Sequence, residues 1–273
     1  MTVLVTGASG NTGGRVARQL ADRGVEVRRA GRTSRTRFDW SDPATFGTAL
    51  DGVHGVYLVL PPGVADPATV LTPFLAQARR TGVRRLVLLS SSAVPFDGAV
   101  GAALGESVPD WAVLRPSWFA SNFTTDHLHG ASARRDGEIV SATGDGRVPF
   151  IDPADIAAVA VRFLTGEAAA RRDVVLTGPR PLSFDEVAAA LSEAIGRPVR
   201  HRRVTAPELS ARHQAHGMPA SFADLLAGMD VAIAAGTEDR TTPLVEQITG
   251  RPPTSFHDFL TATVRPGAAG THG

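Results

Sequence analysis

The sequence predicts an α/β protein: a doubly wound parallel sheet of the Rossmann type, with a smaller, mostly helical C-terminal lobe. A glycine-rich turn follows the first apolar strand, strands and helices alternate from residue 3 to residue 90, and the strands are apolar on both faces. Such strands are typical of parallel sheets that helices cover on both sides. We expect a Rossmann domain mainly over residues 1–150, a remaining strand and an interleaved lobe over 151–264, and a disordered tail over 265–273.

The elements of the first half follow from apolar runs and their stop signals. The first helix has an apolar face at Val16, Ala17 and Leu20 and ends at Gly24, a residue type that favours helix ends. Asp42 and Pro43 are an acid and a proline suited to the start of another helix. We predict strands at 3–6, 25–30, 36–40, 53–60 and 84–90, and helices at 13–23, from 42, and at 67–81.

The second half is less regular. Ser183 and Glu186 have capping-box spacing before a helix that should stop at Gly196, and Ser255 with Asp258 predicts a cap before a last helix at 259–264. The other predicted elements are strands at 111–114, 173–177 and 199–204, a helix from Asp152-Pro153 to about residue 164, and mostly helix from residue 207.

Composition excludes several classes of protein. The 273 residues carry a formal net charge of +1 and no cysteine. This argues against a protein built mainly to bind nucleic acid, and it excludes disulfides and thiolate chemistry. The sequence has no apolar run long enough to span a membrane, and its N-terminus reads as a buried strand without a signal peptide. We expect a cytoplasmic monomer or homodimer that acts on a small molecule.

The first turn predicts a phosphate-binding site. Gly7, Gly10 and Gly13 have the spacing G-x-x-G-x-x-G between a strand and a helix. Glycines let the backbone approach a pyrophosphate, and the helix N-terminus supplies free N–H groups and partial positive charge. The alternative is a tight turn without a ligand. The strand–turn–helix context favours the dinucleotide.

The end of the second strand favours NADP(H) over NAD(H). NAD-binding Rossmann proteins usually place an acid there for the ribose 2′-hydroxyl. This chain instead has Arg32, and no acid lies between Val27 and Phe38. A guanidinium suits a 2′-phosphate, although a solvated surface arginine is the alternative.

Several segments together resemble the NmrA-like atypical short-chain dehydrogenases, most closely the branch of ergot-alkaloid dehydrogenases. The resemblance covers the chain to about residue 264 and rests on TGASGNTGGRVARQL, FDWSDPATF, VYLVLPP, LVLLSSSA and WAVLRPSWFASNF, then LTGPRPLSFDEVAAALSEAIGRPV and TGRPPTSFHDFL. It implies an NAD(P)-binding domain with a C-terminal substrate lobe and a reductase in specialised metabolism.

The resemblance also implies roles for individual residues. Those expected to bind the cofactor are Gly7, Ser9, Gly10, Asn11, Thr12, Gly13, Arg32, Asp39, Trp40, Leu60, Pro61, Pro62, Ser90 and Pro116. Those expected near the substrate are Ser92, Trp118, Phe119, Asn122 and Phe123. The three aromatic residues of the second set could equally fill the core.

The chain departs from the wider group in its catalytic residues. All 28 basic residues are arginine, and the only tyrosine, Tyr57, lies inside a predicted strand. A Tyr–Lys pair is therefore impossible, which favours acceptors that need no proton donor: iminium ions, conjugated enones or quinones. The catalytic residue stays unknown, with Ser91, Ser92 and His127 as candidates.

Two other functions stay open. A dinucleotide-binding regulator without turnover would also lack the Tyr–Lys pair, and a Rossmann relative could catalyse a non-redox cyclisation. A metal site is not expected, because His213 and His216 have helical spacing but no third ligand.

Overall fold

The computed structural model describes residues 1–61, 67–94 and 98–264. Pro62 and the predicted tail at 265–273 lie outside the described residues. The chain forms two compact units, of which the first contains Met1–Pro116, Pro153–Leu176 and Pro243–Pro252. The second contains Ser117–Asp152, Thr177–Thr242 and the segment from Pro253 onward. The chain thus leaves the first unit at Pro116, earlier than the predicted boundary at residue 150, because a strand ends there and the last strand of the sheet comes later in the sequence.

The strands, in chain order, are β1 Thr2–Thr6, β2 Glu26–Gly31, β3 Thr36–Arg37, β4 Gly55–Val59, β5 Arg85–Leu89, β6 Asp110–Pro116, β7 Glu138–Ser141, β8 Arg147–Val148, β9 Arg172–Leu176, β10 Leu182–Ser183 and β11 Arg200–Arg203. The helices are α1 Asn11–Ala21, α2 Ala44–Leu50, α3 Pro67–Thr81, α4 Gly98–Ser107, α5 Leu128–Asp136, α6 Pro153–Thr165, α7 Phe184–Ile195, α8 Ala206–Ala215, α9 Ala220–Ala234, α10 Leu244–Thr249 and α11 Phe256–Thr263, with a 3₁₀ turn at Ala120–Phe123.

The first unit is built on a parallel sheet of order β3-β2-β1-β4-β5-β6-β9. One face carries a core of sheet residues such as Leu4 and Leu58 with Phe46 of α2 and Phe74 of α3. α1 and α6 pack against each other and against the sheet strands. The predicted doubly wound Rossmann sheet is therefore confirmed. Its strand order reverses between β1 and β4, the place where such sheets open a binding crevice.

The second unit is mostly helical, as predicted. β7 pairs with β11 in parallel, and β8 pairs with β10 antiparallel. Its core is an aromatic cluster in which Phe123 contacts Phe150, Phe184 and Phe256 at ring-centroid distances of 5.1–5.9 Å. No helix of the described residues is long and apolar enough to cross a membrane.

Two helices match their sequence signals, whereas one predicted strand is shorter than expected. α3 has the predicted bounds, and α7 has the predicted capping box at Ser183 and a left-handed Gly196 with φ of 71°. The third strand stops at Arg37 and not at Trp40, because Asp39 turns back to bridge Asp42.

Candidate functional site

A crevice of about 810 Å³ opens at the carboxyl ends of β1, β2 and β4. Thr6 fixes the β1–β4 edge of this crevice, because its Oγ1 accepts a hydrogen bond from the Val59 N–H at 2.9 Å and donates to the Tyr57 carbonyl at 3.2 Å. The residues around it are Thr6, Gly7, Ser9, Ala30, Gly31, Arg32, Thr33, Ser34, Phe38, Asp39, Trp40, Ser41, Val59, Leu60, Pro61 and Val70.

The glycine turn has a geometry that side chains would block. Gly7 has a φ of +61°, and the Gly10 N–H donates to the Gly7 carbonyl at 2.8 Å. A Cβ on Gly13 would lie 2.3 Å from that same carbonyl oxygen. Gly10 is the N-cap of α1 and has no side chain to cap the first turn. The start of α1 can therefore offer backbone donors to a phosphate.

The loop after β2 presents a cation and two hydroxyls to the crevice. Arg32, Thr33 and Ser34 are exposed and line it. Within the described parts of the chain, Arg32 forms no ion pair within 4 Å, whereas fourteen other arginines do. Its charge is therefore available to a ligand. Thr33 and Ser34 were not singled out from the sequence, although they directly follow Arg32.

Asp39 and Trp40 close the far side of the crevice. Asp39 Oδ1 accepts hydrogen bonds from the Ser41 N–H at 3.0 Å and from the Ser41 hydroxyl at 2.7 Å. These hydrogen bonds, with smaller effects of Arg32 and Arg37, lower the pKa of Asp39. Trp40 Nε1 donates to the Val59 carbonyl at 3.2 Å, which fixes the indole beside the crevice.

The remaining predicted cofactor residues lie only partly at this crevice. Leu60 and Pro61 line it, whereas Asn11 and Thr12 form the first turn of α1. Pro116 ends β6. Ser90 lines a separate, largely apolar cavity of about 230 Å³ between the sheet, α3 and α4.

Sequence reasoning missed the residue that holds the serine segment. Arg115 is largely buried and pairs with Asp173 at 2.8 Å. Its Nε and Nη2 donate to the carbonyls of Ser91 and Ser92 at 3.3 and 3.2 Å. Arg115 directly follows the apolar run 111–114 of β6, and a charged residue at the end of such a run is a signal that the sequence did offer. It acts as a positioning residue for the serine segment.

The catalytic candidates are divided between the units. Tyr57 is fully buried in β4, and burial raises the pKa of its phenol above the ordinary value. Ser91 and Ser92 belong to the first unit, whereas His127 is the exposed N-cap of α5 in the second. Which of them reacts stays a prediction.

The substrate candidates all follow β6 except Ser92. Trp118, Phe119 and Asn122 are half-buried. Phe123 is only 2% exposed and belongs to the aromatic core. For Phe123, packing therefore supports the core interpretation over contact with a substrate.

The neighbouring side chains of Ser141, His201 and Asp185 have the composition of a hydrolase triad. Ser141 Oγ lies 2.8 Å from His201 Nε2, and His201 Nδ1 lies 3.3 Å from Asp185 Oδ1. Ser141 is fully buried, so no substrate reaches it. These three side chains connect β7, β11 and α7. The burial of Ser141 rules out a hydrolytic role. Among the described residues, no group of three or more His, Asp or Glu side chains is arranged to hold a metal ion.

Comparison with known proteins gives one family and a consistent set of relatives. Residues 7–167 match a family model described as NAD(P)H-binding. The agroclavine dehydrogenase of Claviceps fusiformis is 40% identical over 280 residues, covering 95% of this chain and 96% of that protein. The oxidoreductase YesF of Bacillus subtilis is 39% identical over 270 residues, covering 95% and 94%. The NADPH complex of quinone oxidoreductase QOR2 from Escherichia coli has the same fold, with a TM-score of 0.76 at 23% identity, covering 96% and 99%.

Proposed function

Because the chain belongs to the NAD(P)H-binding, NmrA-like family of oxidoreductases, we propose that it is an NADPH-dependent reductase of a small organic molecule in specialised metabolism. Its acceptor is an activated one: an iminium ion, a conjugated enone or a quinone. The name of the agroclavine dehydrogenase supports an alkaloid-type acceptor, and that of QOR2 supports a quinone.

The residues of the crevice fit a dinucleotide. Its volume of about 810 Å³ is within the range of small-molecule and cofactor sites. The backbones of Gly7 and Gly13 approach so closely that no side chain can stand between them, and α1 begins directly behind this turn. Bound NADPH supplies a hydride to the acceptor. The glycine turn and Ser9 would hold the phosphates, and Arg32, Asp39 and Trp40 would contact the adenosine.

The choice of NADPH over NADH rests on one observation: Arg32 lines the crevice and forms no ion pair within 4 Å with an acid of the described residues. An arginine can form paired, charge-assisted hydrogen bonds with the 2′-phosphate. Thr33 and Ser34 add two hydroxyls on the same loop. No acid follows β2 to bind the 2′-hydroxyl of NAD, because the next acidic residue is Asp39.

The absence of a Tyr–Lys pair supports the choice of acceptor. The phenol of Tyr57 is buried in β4, and the chain contains no lysine. Hydride addition to a ketone creates an alkoxide that needs a proton donor, whereas hydride neutralises an iminium ion. Reduction of a quinone or an enone gives a stabilised anion that water can protonate.

An acceptor panel tests this proposal. Purified protein and NADPH should reduce a cyclic iminium ion or a quinone, measured as loss of absorbance near 340 nm with the product identified by mass, and should not reduce cyclohexanone. NADH should support a lower rate at equal concentration. Efficient reduction of cyclohexanone would contradict the proton-independent chemistry. Tight NADPH binding without oxidation by any acceptor would instead support a non-catalytic regulator.

A further inference from the structure

A further pocket lies within the helical unit, and none of its lining residues belongs to the cofactor crevice. It measures about 110 Å³ and lies between α5, the end of β7 and α8. Leu128, Ala131, Val140 and Leu209 form its apolar wall, and Val140 and Leu209 are only 5% and 2% exposed. We call this space the α5–α8 pocket.

Two histidines in the wall of the α5–α8 pocket have hydrogen-bonding capacity that the protein does not use. His129 and His213 both line it, and neither ring forms a hydrogen bond with another described residue. Burial, with the neighbouring imidazoles of His127, His213 and His201, lowers the pKa of His129 to about 3. Burial also lowers the pKa of His213. Each ring is therefore neutral near pH 7 and retains one N–H donor.

The rim of the pocket has an excess of positive charge. Arg135 and Arg212 both line it, and both pair with the same carboxylate, Asp136, at 2.8 and 3.9 Å. Arg134, the neighbour of Arg135, instead has its own partner in Asp126 at 2.6 Å. Since no acidic side chain is among the lining residues, one carboxylate faces two guanidiniums.

We propose that the α5–α8 pocket binds a small monocarboxylic acid with a short apolar chain. The carboxylate lies between Arg135 and Arg212, since arginine is well suited to bind carboxylates. The chain lies against Val140 and Leu209, and the His213 ring donates its N–H to the carboxylate. A cavity of about 150 Å³ holds benzene, so the smaller space here suits a chain of about three or four carbons.

Butanoate is the probe that tests this proposal. It is titrated into the full-length protein while calorimetry and the NMR signals of the histidine rings are recorded. We expect saturable shifts at the His129 and His213 rings. Arg212→Met and Arg135→Met should each weaken binding roughly 10-fold or more, because each removes a charged hydrogen bond. Arg134→Met is the matched control and should leave the affinity unchanged.

Two further comparisons separate charge recognition from a merely apolar pocket. Butanamide has the shape of butanoate without its charge and should bind at least 10-fold more weakly. Ala131→Leu should abolish binding by filling the pocket while both guanidiniums stay in place. Thermal unfolding is measured for every variant, so that a misfolded protein is recognised. Equal binding of butanamide, unchanged affinity in both arginine variants, or no saturable ring shift up to about 100 mM butanoate would overturn the proposal.

Discussion

The cofactor crevice and the helical unit place their polar groups in opposite environments. In the crevice, Arg32 is exposed and the glycine turn offers bare backbone. In the helical unit, His213 and Asp230 are only 8% and 7% exposed. Burial lowers the pKa of His213 and raises the pKa of Asp230, so it favours the neutral form of both side chains. A group already in contact with water can serve a ligand at little cost to folding, whereas a buried one changes the stability of the protein. Substitutions in the two regions should therefore have different readouts.

The largest effects should come from the glycine turn, where one substitution should abolish cofactor binding and another should prevent stable folding. Gly10→Val should fold, because its Cβ would lie 3.1 Å from the Gly7 carbonyl oxygen and a shift of a few tenths of an ångström relieves that contact. It should lose NADPH binding, because its methyls would occupy the expected path of the pyrophosphate. Gly13→Val should fail to fold stably, because its Cβ would lie 2.3 Å from the Gly7 carbonyl oxygen. Circular dichroism against temperature and a fluorescence titration with NADPH distinguish the two. A folded Gly10→Val protein with normal affinity would show that the phosphates bind elsewhere.

Arg32→Ala should reduce ligand affinity without reducing stability. Loss of a charged hydrogen bond costs about 1.5–3 kcal/mol, so NADPH should bind roughly 10- to 100-fold more weakly while NADH is barely affected. Calorimetric titration of both cofactors measures this difference. Arg35→Ala is the matched control, since Arg35 is exposed on the same loop but does not line the crevice. Equal affinities of the wild type for NADPH and NADH would contradict the role of Arg32.

Asp230 should show the opposite behaviour, a change in stability that depends on pH. Burial raises the pKa of Asp230 from 3.8 to about 6, although its carboxylate accepts a hydrogen bond from the Ala142 N–H at 2.8 Å. The folded protein thus binds this proton more tightly than the unfolded chain. The stabilisation is complete below about pH 4 and is lost as the pH rises through about 6.

Asp230→Asn removes this titration and keeps an acceptor for Ala142. The variant should therefore be more stable than the wild type by roughly 2 kcal/mol near pH 8, with the difference shrinking toward pH 4. Urea unfolding at both pH values measures it. A stability difference that does not change with pH would show that the Asp230 carboxyl does not titrate as inferred.

The smallest effect should come from Tyr57→Phe. The Tyr57 hydroxyl is fully buried, so its removal should leave the turnover of an iminium ion or a quinone within about 2-fold of the wild type. Steady-state kinetics on the best acceptor of the panel measure it. A loss of 100-fold or more would assign the phenol a part in catalysis and would contradict its exclusion here.

The difference between locally determined and long-range features also explains how much of the fold could be predicted from the sequence. β1, β4, β5 and α1 were recognised because each has a local apolar pattern, and the glycine turn lies between two of them. β7 was missed because it has only four residues and pairs with β11, about sixty positions later in the chain. α4 was missed because its sequence, GAVGAALGES, consists mostly of small residues without a clear apolar stripe.

Individual site residues follow the same rule. Arg32 could be predicted to lie at the crevice because its expected role depends only on its position after β2, and it does line the crevice. The partnership of Arg115 with Asp173 depends on two strands that are 58 residues apart in sequence, and the pKa shift of Asp230 depends on burial by several elements. Sequence alone predicts a group's chemistry where a local motif positions it, and fails where distant segments create its environment.

The route of the chain through its units has a consequence for biosynthesis. α10 packs against α6 and β9, and Arg162 of α6 donates to the Thr249 carbonyl at 3.2 Å. The segment that contains α10, Pro243–Pro252, leaves the ribosome only after nearly the whole of the second unit has been translated. Domains that are contiguous in sequence can fold during synthesis, from the N-terminus onward. Here the nucleotide-binding unit stays incomplete on the nascent chain, with one side of α6 uncovered, until Pro243–Pro252 has emerged from the ribosome.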